Sequence, residues 1–114
     1  MVTGGVDTHL DVHVAAALDQ IGGLLGTASF PTTPLGYAQL IEWLLAIGAV
    51  TRVGVEGTSS YGAGLTRALQ AEAIGVVEVD RPKRQQRRRV GKSDTIDAIA
   101  AARAALAGEA LGQP

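Results

Sequence analysis

The sequence predicts an α/β protein with a mixed five-stranded sheet, its elements running β-β-β-α-β-α-β-α. Three observations predict it. The first thirty residues hold short runs rich in Val and Ala, separated by turn-forming residues, the pattern of an antiparallel meander. From residue 34 onward, stretches with helical spacing alternate with short apolar runs. That alternation requires right-handed crossovers, so the later strands lie parallel and helices cover the faces.

Each element has its own signal. A first strand is expected over residues 4–8 and a second over 12–19, with a tight reversal at 9–11. "QIGG" marks the next turn, with Gly22 and Gly23 both expected at positive φ. "LLGTASF" reads as a third strand. Thr33 before Pro34 is a helix cap with proline in the first turn. Tyr37, Leu40, Ile41, Leu44 and Leu45 then form an apolar stripe, and Gly48 is the stop. "TRVGVE" reads as a fourth strand ending at Glu56. A helix follows from near Gly62, then a fifth strand, "VVEV", over 76–79. The last helix begins near Asp94 with "DTIDAIAAARAALAG".

With 114 residues, the chain is long enough for one domain and one modest core. At 46% hydrophobic residues it is expected to fold. It holds no cysteine, which excludes disulfides and thiolate chemistry. No apolar run reaches the roughly 18 residues of a membrane span, and "MVTGGVDTH" lacks the regions of a signal peptide. These features predict a cytoplasmic protein of bacterial type with no membrane partner.

The formal net charge of −1 conceals a segregation. Arg81, Lys83, Arg84, Arg87, Arg88, Arg89 and Lys92 are seven of the ten basic residues, and no acid lies among them. Such asymmetry points to a polyanion partner held by its phosphates, although a solvated basic loop would read the same way. The segment has no aromatic residue, so base stacking is not its method.

Four acids stand where an α/β topology could gather them. Asp7 lies in the first strand and Glu56 closes the fourth, and ligands collect at the carboxyl ends of such strands. Asp94 and Asp97 are three apart, so they share one helix face. Singly, each has a plainer role: Asp7 in a turn, Glu56 as a cap or arginine partner, Asp94 and Asp97 as a capping box. Converging together they would repel one another, and dense oxygen donors suit Mg²⁺ or Mn²⁺. Two such ions can clamp a phosphodiester, with the basic segment neutralising the flanking phosphates. The alternating Asp7, His9, Asp11 and His13 would make a metal-ligating row on one flat strand, but the expected turn breaks it. "GTSSYGAG" matches neither a P-loop nor a nucleophile elbow, and reads as a connection supporting Glu56 or touching DNA.

"GVDTHLDVHVAAALD", "VGVEGTSSYG" and "KSDTIDAIAAARAAL" together resemble the N-terminal DEDD domain of insertion-sequence transposases related to the Piv DNA invertases. The resemblance runs from about Val6 to Leu106. It implies an RNase H-like fold similar to that of Holliday-junction resolvases. The four acids of the motif fall on Asp7, Glu56, Asp94 and Asp97. The resemblance further implies Mg²⁺-dependent cleavage and exchange of DNA strands without ATP, oligomeric assembly and, in some members, a structured guide RNA. Full-length members also carry a coiled coil and a C-terminal domain with a proposed serine nucleophile. The chain is therefore expected to be one catalytic domain of a longer transposase, not competent alone for full recombination. Two rivals remain open at this point: a non-catalytic nucleic-acid-binding module, and half of an actin-like ATPase.

Overall fold

The structure is a computed structural model and describes residues 1–79 and 93–110. The seven basic residues from Arg81 to Lys92 lie outside the described residues. The elements are β1 (Val2–Thr8), β2 (Val12–Leu18), β3 (Leu24–Pro31), α1 (Pro34–Ile47), β4 (Val50–Glu56), α2 (Ala63–Ala71), β5 (Gly75–Val79) and α3 (Ser93–Ala110). Their order is the predicted one, and the bounds differ from expectation by two residues or fewer at each end.

The strands form one sheet in the order β3-β2-β1-β4-β5. The β1–β2 and β2–β3 pairs are antiparallel, whereas β1–β4 and β4–β5 are parallel. This is a mixed α/β sheet of RNase H-like order. The reversal between β1 and β2 closes with His9 N donating to Val12 O at 3.1 Å. In the next turn only Gly22 takes positive φ, at 92°. Gly23 needs no left-handed backbone there, because the Asp19 carboxylate accepts from both Ile21 N and Gly23 N and shapes the turn from one side chain.

Thr33 caps α1, its hydroxyl accepting from Gly36 N at 3.0 Å, and Gly48 closes the helix with its N–H donating to Leu44 O. The predicted stripe is correct for Leu40, Ile41 and Leu44, which are buried, but Leu45 is exposed. One residue past Leu44, Leu45 turns about 100° away from the sheet.

Side chains alternate across the strands, so each strand serves two layers. Val2, Val6, Ala15, Ala17, Val53 and Val55 face α1 and α2, where they pack with Leu40, Ile41, Leu44, Leu65 and Leu69. The other face receives α3, through Val14 and Ala16 of β2 and Ala98 of the helix. There the approach is close. A Cβ at Gly5 would overlap Ala102 N and Ala98 O, and one at Gly54 would lie 2.5 Å from Ala101 O. Ala98, Ala101, Ala102 and Ala105 are the buried stripe of α3. Backbone thus meets backbone, and the helix is seated by the absence of side chains.

Candidate metal centre

The site forms at the carboxyl ends of β1 and β4, beneath the N-terminus of α3. Val6 pairs with Val55 in parallel register, so Asp7 and Glu56 are each the next residue along neighbouring strands. Asp7 shares the face of Gly5, and Glu56 that of Gly54, two residues earlier in each strand. Both carboxylates therefore lie on the α3 side. Asp7 is 1% exposed and Glu56 is 2% exposed. The two strand ends are tied together by Thr8, whose Oγ1 donates to Glu56 O at 2.9 Å.

Asp94 stands in the first turn of α3 and Asp97 one turn on. They precede Ala98 and Ala101 by four residues, so they extend the stripe that faces the sheet. Asp94 is a residue of the helix rather than its cap, and its charge is favoured at the positive end of the helix dipole. Asp97 is half-buried.

His9 joins the two halves of the site. Its Nε2 lies 2.8 Å from Asp7 Oδ2 and 3.3 Å from Asp94 Oδ1. Among the described residues, Asp7, His9 and Asp94 are the group whose donor atoms all lie within 4.8 Å of one another. Glu56 ends the strand beside that of Asp7, and Asp97 lies one helical turn past Asp94. Two carboxylate oxygens and an imidazole nitrogen at this spacing fit a divalent cation.

The alternating acid and histidine row is resolved in part. The turn does separate it: Asp11 is exposed, and His13 points to the α1 side, stacked on Tyr37 with ring centroids 5.7 Å apart. His13 is fully buried, its Nδ1 lies 3.2 Å from Thr32 Oγ1, and desolvation pulls its pKa below the usual 6.5. Yet the same turn leaves His9 beside Asp7, a partner that the broken-row argument missed. The signal was the spacing itself, because His9 directly follows the last residue of β1 and can reach back to Asp7 two positions earlier.

Gly57 follows Glu56 with φ of 63°, a left-handed turn that redirects the chain away from the sheet. Its carbonyl accepts from Ser60 N and Gly62 N, which closes the loop into α2. Thr58 is held to Glu78 of β5 through both its N–H and its hydroxyl. The stretch 58–61 thus serves as a braced connection beside Glu56, and Tyr61 at its end is exposed.

A family model described as Transposase, for DEDD transposases of the IS110 type, matches residues 4–113. The chain belongs to this transposase family. No curated protein matches it. Among solved structures it is similar to ethanolamine utilization protein EutJ from Carboxydothermus hydrogenoformans, with 15% identity and a TM-score of 0.47. That match covers 70% of this chain and 36% of the other, so the chain spans about a third of that protein's length. Among the described residues, no helix is long and apolar enough to cross a membrane.

Proposed function

We propose that this chain is the catalytic domain of a DNA transposase, cleaving DNA with divalent metal held by Asp7, Glu56, Asp94 and Asp97. One observation carries the reading. In a chain of a transposase family, β1 and the N-terminus of α3 bring Asp7 and Asp94 onto one histidine nitrogen, on the sheet face and rim that also hold Glu56.

The residues divide the work by their mounting. Asp7 and Glu56, fixed on adjacent strands, supply buried carboxylate oxygen at a set separation. Asp94 and Asp97 bring oxygens from the helix above, where solvent and substrate have access. These four carboxylates would hold two divalent ions, Mg²⁺ or Mn²⁺, which would supply positive charge against the charge that builds on a phosphodiester. The arginines and lysines of 81–92 grip the flanking phosphates, which positions the strand without reading its sequence. DNA is the substrate, with a structured guide RNA and further copies of the full-length protein as partners, in the bacterial cytoplasm. The domain is one part of a longer transposase, and full recombination needs the rest of it.

Asp94→Asn should weaken Mn²⁺ binding about tenfold or more in calorimetry with only a small change in melting temperature, because this carboxylate is over a third exposed. Unchanged Mn²⁺ affinity would remove the metal from the reading. It would leave a nucleic-acid-binding module, whose DNA affinity still falls with salt by about 0.9 log units per phosphate contacted but ignores EDTA.

A further inference from the structure

His9 is the one member of the close donor group that lies outside the four-acid motif. Two roles fit its position. It could be a strut that holds Asp7 and Asp94 together and yields to a metal. Alternatively, it could remain, as a ligand. The geometry favours the second. Neighbouring ligands of an octahedral ion with bonds near 2.2 Å stand about 3.1 Å apart. The Nε2 distances to Asp7 Oδ2 and Asp94 Oδ1, 2.8 and 3.3 Å, suit the hydrogen bonding of a strut and also bracket that spacing, so an ion can enter with little movement of the three atoms. The three atoms come from β1, from the turn after it and from α3, so they enclose a point from three directions. Asp7 is buried beneath, and His9 is 37% exposed, which leaves the imidazole on the open side where an ion arrives.

We propose that His9 is itself a ligand of the divalent ion, through Nε2, alongside Asp7 and Asp94. This rests on the metal-dependent reading above. The chemical consequence is a preference. An all-oxygen site suits Mg²⁺, whereas one imidazole nitrogen favours first-row transition ions such as Mn²⁺. The chain would then bind Mn²⁺ over Mg²⁺ by a margin that carboxylates alone do not give.

The test is electron spin-echo spectroscopy of Mn²⁺ added to the full chain, with Mn²⁺ and Mg²⁺ affinities measured by calorimetry. The chain has two histidines, and His13 is buried on the opposite face of the sheet, so ¹⁴N modulation from imidazole reports on His9. Wild type should show it. His9→Ala should abolish it, lower Mn²⁺ affinity about tenfold or more, and narrow the Mn²⁺-to-Mg²⁺ ratio. Mn²⁺ bound without the modulation, or a His9→Ala chain that binds Mn²⁺ as well or better, overturns the ligand role and leaves a strut. Asp7→Asn separates the two readings. If it loses Mn²⁺ while His9→Ala does not, the metal site stands and the histidine is outside it. If wild type takes up no Mn²⁺ at all, both proposals fall.

Discussion

On one face of the sheet, Val6, Val53 and Val55 meet Leu40, Leu44, Leu65 and Leu69. On the other, Gly5, Ala16 and Gly54 meet Ala98, Ala101 and Ala102. The first face buries large branched side chains, and its contribution to stability scales with the apolar area removed from water. The second buries little per residue. It gains instead a fixed, short separation between sheet and helix. The candidate metal centre sits on this second face, so the layer that contributes less hydrophobic area is the one that positions Asp7, Glu56 and Asp94.

That contrast can be broken from either side. The largest effect is expected at Gly5→Ala, where the new methyl has only backbone to displace. It should cost about 3 kcal/mol or more in urea denaturation, and Mn²⁺ affinity should fall with it as Asp94 is lifted from Asp7. A Gly5→Ala chain with wild-type metal affinity would show that α3 is not seated as described. Leu44→Ala, on the other face, should cost about 2–3 kcal/mol by leaving a cavity, yet keep its Mn²⁺ affinity below the unfolding transition. If metal binding falls in proportion, the two faces are not independent.

The smallest effect is a pH dependence on the Leu-rich face. Burial holds the His13 pKa below its unfolded value near 6.5, so the unfolded chain takes up the proton first. Its contribution is complete above about pH 6.5 and declines as pH falls below that, levelling off beneath the lowered folded value. Subtracting the stability curve of His13→Gln from that of wild type should isolate this slope. A difference that stays flat between pH 7 and 5 would mean that His13 is solvated.

Much of this was legible from residue spacing. Turn residues at 9–11 and 22–23, the Thr33–Pro34 start and the Gly48 stop located the elements, because these are local decisions made within a few residues. Asp7, Glu56 and Asp94 could be gathered on one rim because strand ends and helix starts follow from topology. The failures lay where tertiary geometry overrode the local pattern. Leu45 extends the stripe on paper, but the sheet meets only a narrow strip of α1, and that strip ends with Leu44 on this turn. Gly23 needed no positive φ once Asp19 folded over the turn. His9 stays beside Asp7 because the turn displaces only Asp11 and His13 from the row, a distinction that residue spacing alone does not make. Glycines 5 and 54 carried no signal as spacers, since a glycine in a strand reads equally as a weakness, a bulge or a close approach.

Sheet and helix touch through atoms that every amino acid shares, with no side chain between them at Gly5 and Gly54. The gap across the acidic centre is therefore fixed by van der Waals radii, as a machinist's gauge block fixes a clearance. Substitutions in the leucine layer can make the protein sturdier or weaker without altering that clearance. Widening it takes only one carbon atom, at either of two positions.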